Sequence, residues 1–129
     1  MKTIAIRTGS RTAFVDITAE VAECVRAQGL KDGVVTIFIP HTTAGVTINE
    51  NADPDVTADM ELVLDRMVPW TGGYAHGEGN TAAHVKASMM GSSVQVIVVD
   101  GRLQLGTWQS IYFCEFDGPR TRKVLMSMC

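Results

Sequence analysis

The chain has no apolar run long enough to cross a bilayer as a helix. Its opening, "MKTIAIRTGSR", has no apolar core of a secretory signal, so the expected location is cytoplasmic. Clustered basic residues are also lacking. The net charge is −3, which argues against partners held by bulk charge, both nucleic-acid phosphates and anionic membranes. Cysteine is scarce: Cys24, Cys114 and Cys129 make an odd number at spacings that suit neither a zinc knuckle nor a redox pair. They read as reduced thiols, the first two buried and the last at a loose end. No serine nucleophile elbow, no phosphate-binding Walker loop and no glycine-rich dinucleotide fingerprint occurs. No repeat, linker or low-complexity tract divides the 129 residues, which are the size of one domain (1–129).

What is present is a succession of short β-rich segments. "KTIAIRT" alternates at period two, and "TAFVDI" follows after a short turn. "DITAEVAECVRAQG" has helical spacing at Ile17, Val21, Cys24 and Val25, with Asp16 or Thr18 to cap it and Gly29 to close it. "GVVTIFIP" is apolar almost throughout, as in a strand covered on both faces, and "GVTINE" is the next strand. A second helix covers "DPDVTADMELVLDRMVP", with Asp53 as N-cap and Pro54 in the first turn. Its apolar stripe is Val56, Met60, Val63, Leu64 and Met67; its acids form a solvated face. After the glycine-rich loop "PWTGGYAHGEGN", a short helix starts beyond Asn80 and ends before Gly91. Asp100-Gly101 marks a hairpin, and two more strands complete the chain. Many strands at hairpin spacing with few helices predict an α+β fold, an antiparallel sheet or sandwich with packed helices.

The chemistry-bearing residues concentrate at a few points. "FIPHTTAGVTINE" interrupts a buried run with His41, Thr42 and Thr43, where a plain turn would suffice. His76 lies in the loop and His84 near the start of the third helix, whose positive end disfavours imidazolium. Converging, the three imidazoles would suit Zn²⁺ or a similar ion with one open position. Separate, each would be a histidine satisfied by its own hydrogen bonds. Thr42 and Thr43 offer hydroxyls and N–H groups, and Gly79 and Asn80 in "GEGN" put flexible backbone at a helix start, an anion seat. Trp108 and Gln109 could hold a flat ring, or Trp108 could fill the core. Arg120 and Arg122, two apart, would share a strand face and grip a phosphate, or else pair with Asp117 or Glu115. Glu50 and Glu78 are the acids nearest the histidines and could act as general base or orient an imidazole.

Three blocks, "PHTTAGVTINENADPDV", "YAHGEGNTAAHVKASMMGSS" and "GRLQLGTWQSIYFCEFDGPRTRKV", closely resemble the YjbQ family, often labelled secondary thiamine-phosphate synthase. The resemblance covers nearly the whole chain. It implies a β-sandwich with helices, a homotrimer, and a polar cluster near a subunit boundary. It also implies joining of hydroxymethylpyrimidine diphosphate to thiazole phosphate with loss of pyrophosphate. On that expectation His41, His76 and His84 hold a divalent metal (Zn or Mg), and Glu78 and His84 act in catalysis. Thr42, Thr43, Gly79, Asn80, Trp108, Gln109 and Arg120 then bind a small phosphorylated metabolite, with Arg122 and Lys86 as further positive charge. The spacer between the second and third histidines, "GEGNTAA", is shorter than in some relatives, so a ligand supplied from it elsewhere is missing here. The alternative is a trimeric protein that binds a metal or phosphorylated metabolite without catalysis. A purely structural trimer would leave the polar clusters without a use.

Overall fold

The computed structural model describes all residues, 1–129. In chain order the elements are β1 (Lys2–Arg7), β2 (Ala13–Asp16), α1 (Thr18–Gln28), β3 (Gly33–Phe38), β4 (Ala44–Glu50), α2 (Pro54–Met67), α3 (Thr81–Met90), β5 (Ser93–Val99), β6 (Arg102–Leu103), β7 (Gln109–Glu115) and β8 (Thr121–Met128). The strands form a five-stranded sheet, β1-β8-β3-β5-β6, and a three-stranded sheet, β2-β7-β4. Every pairing is antiparallel. The expected α+β sandwich with packed helices is the observed architecture.

Two cores explain the layering. Between the sheets, Val35, Ile37, Val96, Val98, Val124 and Met126 from the larger sheet meet Ala44, Val46, Ile111 and Phe113 from the smaller. Helix α1 adds Val21, Cys24 and Val25 to this core. On the other face of the smaller sheet, Tyr112, Cys114 and Phe116 pack with Leu64 of α2 and with Ala83 and Ala87 of α3. Strand β7 therefore serves both cores, odd residues to one side and even to the other, because successive side chains alternate. Burying Phe113 alone contributes about 1.5–3 kcal/mol.

Local signals are realised where they are local. Gly29 closes α1 in the left-handed region (φ 71°), and the Asp53 carboxylate accepts from Asp55 N–H at 2.9 Å. Asp100 and Gly101 both have positive φ, as a two-residue hairpin turn with the right twist requires. At α1 the N-cap position is Ile17, while the Asp16 carboxylate accepts from Thr18 N–H at 2.9 Å. Asn80 begins α3 without a side-chain cap: its amide donates instead to Asp117 Oδ2 at 2.9 Å.

Strand β3 is not covered on both faces within the chain. Its outward residue Phe38 is exposed, and so are Ile97 and Val99 on the same face of β5, toward the other end of the strand pair. The stripe of α2 also seats only Leu64, leaving Val63 and Met67 in the open. All three cysteines are free, Cys24 and Cys114 buried and Cys129 exposed. No helix is long and apolar enough to cross a membrane.

Candidate functional site

Residues 39–43 carry the chain from the five-stranded sheet to the three-stranded one, between β3 and β4. This crossing is where the polar His-Thr-Thr stretch falls. It is stitched from both sides. Lys123 N–H of β8 donates to His41 Nε2 at 2.9 Å. Phe116 N–H, just past β7, donates to the Thr43 carbonyl at 3.2 Å. A crossing strand loses its ladder partners, and these bonds replace them.

Beneath the crossing lies a buried ion pair. Arg122 Nε donates to Glu115 Oε1 at 2.9 Å, and its Nη2 donates to Glu115 Oε2 and to Thr43 Oγ1, the latter at 2.8 Å. Side-chain exposure is 5% for Arg122 and 0% for Glu115. The remaining carboxylate capacity takes the Thr8 hydroxyl at 2.7 Å and Asp117 N–H at 3.1 Å. Burial alone would raise the Glu115 pKa, but the Arg122, Thr8 and Asp117 bonds hold it below the usual carboxylate value.

His41 and His84 line one cavity of about 480 Å³, with Thr42, Ala44, Ser88 and Ser92. His84 and Ser88 are four residues apart on α3 and share a helix face with Ala87 and Gly91. The helix can approach β4 this closely because Gly45 has no side chain. A Cβ there would lie 2.7 Å from the Gly91 carbonyl oxygen, which accepts Val46 N–H at 3.1 Å. Burial, then the charge of Arg122, push the His41 pKa below that of an ordinary histidine. Its Nε2 accepts a hydrogen bond, so the neutral ring carries its proton on Nδ1. His41 thus enters the pocket as a neutral ring with one N–H donor.

The three-histidine metal centre is not assembled in the chain. His76 and His84 do meet, ring centroids 5.4 Å apart and nearly perpendicular. His41 has its Nε2 occupied by Lys123, and no three His, Cys, Asp or Glu side chains come together as a metal-binding group. This donor set does not fit a closed Zn²⁺ site, and Mg²⁺ is held through carboxylates, of which the pocket's lining has none.

The other expected residues are dispersed. Glu78 and Gly79 are exposed in the turn closed by Gly79 N–H to the His76 carbonyl, outside the His41 pocket. Asn80 is buried and tied to Asp117. Thr43 faces the buried Arg122, and only Thr42 reaches the pocket. Arg120 and Arg122 do not grip one ligand: Arg120 pairs with Asp117, and Arg122 with Glu115. Trp108 is 61% exposed, so it does not fill the core. With Gln109 it stands at the opposite end of β7 from Glu115, about 20 Å from the crossing at the usual rise per strand residue. It cannot form a stacking wall for a ligand held by His41 of the same chain. Ser88 and Ser92 escaped sequence reasoning; the i, i+4 spacing from His84 was the signal for the first.

Fold and site together define a helix-decorated antiparallel sandwich with a histidine-lined pocket at the seam between its sheets. The chain belongs to the family described as UPF0047 protein YjbQ-like, whose model matches residues 2–129. It is 54% identical over 129 residues to the UPF0047 protein YugU of Bacillus subtilis, covering 99% of this chain and 98% of that one. A UPF0047 protein of Methanocaldococcus jannaschii is 48% identical over 118 residues, 92% of this chain and 86% of that protein. A crystal structure from Clostridium acetobutylicum superposes with a TM-score of 0.98 at 53% identity, covering 100% of both chains. That protein is described as an uncharacterized conserved member of the YjbQ/UPF0047 family. These findings overturn the expected thiamine-phosphate synthase activity: the relatives are uncharacterized UPF0047 proteins, a family of unknown function.

Proposed function

We propose that the pocket at the sheet crossing binds a small phosphorylated metabolite. The observation that carries this reading is the convergence of His41 and His84, from two different elements, on one cavity with Thr42, Ser88 and Ser92. A phosphate accepts hydrogen bonds at several oxygens, and the pocket offers a ring N–H and hydroxyls as donors. Ser88 already donates to the His84 carbonyl at 3.1 Å, which leaves Thr42 and Ser92 as the freer hydroxyls. Neutral His41 donates a hydrogen bond through Nδ1 without adding charge. Binding is the whole of this reading.

We propose further that copies of the chain assemble, as the expected homotrimer. Support comes from apolar surface that the single chain leaves open: Ile97 is 61% exposed and Met67 63%. The free, largely buried thiols accord with a reducing, cytoplasmic setting. Sedimentation velocity would show a trimer, and a monomer at micromolar concentration would refute the assembly.

The binding test is thermal unfolding with inorganic phosphate and a set of phosphomonoesters, on the wild type, His41→Ala and Ser92→Ala. A ligand at a hundred times its Kd stabilises by about 2.7 kcal/mol. Stabilisation of the wild type alone supports the reading. Equal stabilisation of all three proteins, or of none, refutes it.

A further inference from the structure

A second cavity, of about 560 Å³, lies on the other side of α3 and is independent of the pocket at the crossing. It is bounded by the β1–β2 turn, by the C-terminal half of α2 with the residues after it, and by Lys86 of α3. Its size falls within the roughly 300–1,000 Å³ of small-molecule sites. Four charged residues line it: Arg11, Glu61, Asp65 and Lys86.

Two of these charges cancel. The Lys86 side chain is only 4% exposed, and its ammonium donates to Asp65. That pair ties α3 to α2. The other two charges stand free. The Arg11 guanidinium rests over the Trp70 ring, 4.1 Å from its centroid, a cation–π contact that holds it at the cavity wall. Neither Arg11 nor Glu61 belongs to any of the four ion pairs of the chain, so they do not reach each other either. The cavity thus presents one unpaired cation and one unpaired anion. A simple anion would leave Glu61 unmatched and be repelled by it; a simple cation would stand in the same relation to Arg11. A ligand that carries both charges can match both.

We propose that this cavity binds a small zwitterion of the α-amino-acid type, its carboxylate on Arg11 and its ammonium on Glu61. Guanidinium meets carboxylate through two parallel hydrogen bonds, and the contact with Trp70 restrains the guanidinium before a ligand arrives. The Lys86–Asp65 pair supplies a rigid, internally neutral floor.

A matched set of probes separates the possibilities. L-Alanine carries both charges, propionate lacks the amine, and ethylamine lacks the carboxylate. The Trp70 indole N–H resonance reports binding in a Trp108→Phe background, where Trp70 is the only tryptophan. We expect a saturable shift with L-alanine, and binding at least about tenfold weaker for propionate and for ethylamine. Arg11→Ala and Glu61→Gln, both at solvent-accessible positions, should each weaken L-alanine by about tenfold or more. Propionate matching L-alanine would replace the zwitterion site with a plain anion site and overturn the proposal. So would binding that survives both substitutions, or no response to any probe.

Discussion

Replacing Arg122 by Met tests the buried pair under the crossing. The substitution keeps most of the side-chain volume and removes the charge. Glu115 then remains fully buried with only the Thr8 hydroxyl and Asp117 N–H as partners, and Thr43 Oγ1 loses its donor. Breaking a buried pair by removing one partner costs about 3–5 kcal/mol. Small domains have a total stability of roughly 5–15 kcal/mol, so the variant should fold but only marginally. In urea unfolding followed by circular dichroism, with a slope near 2 kcal/mol/M, the midpoint should fall by roughly 2 M. A control fixes the cause. Glu115→Gln combined with Arg122→Met removes the stranded charge and keeps one carboxamide oxygen as acceptor, for either the Thr8 hydroxyl or Asp117 N–H. It should recover about 2 kcal/mol of the loss. The single variant should also lose less at low pH, because a Glu115 without its cation has a raised pKa and protonates there. A loss below about 1 kcal/mol for Arg122→Met, or a double variant no better than the single, would refute the assignment of a buried charge held by its partner.

Two further outcomes follow from the same region. Gly45→Ala drives a methyl group against the Gly91 carbonyl, so α3 must shift; a loss of about 1–3 kcal/mol in thermal unfolding is expected, with weaker ligand binding in the His41 pocket. Native His41 has a pKa below the ordinary 6.5, so the unfolded chain takes up that proton first. Its contribution is full above pH 6.5 and is lost as pH falls toward the native value, and His41→Asn should flatten the slope of stability against pH in that window. Asp16 and Glu115, also lowered, act only below their ordinary 3.8 and 4.5, so they leave the window clear. Equal slopes would refute the neutral-ring description.

Much of the fold was legible because its signals are short-range. Gly29, Asp53 and the Asp100-Gly101 pair each declare a cap or turn to residues within a few positions. The site was legible only as a set of residue types. His41 depends on Lys123, 82 residues away, and Arg122 reaches Thr43 across 79. No periodicity encodes such distances. The spacing of Arg120 and Arg122 placed them on one strand face, but β8 begins at Thr121, and the two part company at its edge. Trp108 was near the histidines in no sense but composition; strand direction carried it to the far end of β7. The apolar β3 suggested cover on both sides because sequence shows hydrophobicity and not which chain supplies the cover.

The imidazole at the seam has one further property. Its ring is moored to the larger sheet through β8, while two residues later the backbone is moored to the smaller one at Phe116. Any slippage of one sheet past the other must therefore rotate or strain His41, even when it starts from a side chain deep in the sandwich. The pocket acts as a gauge of how the two halves are aligned, so a distant core substitution can alter ligand affinity without touching the ligand.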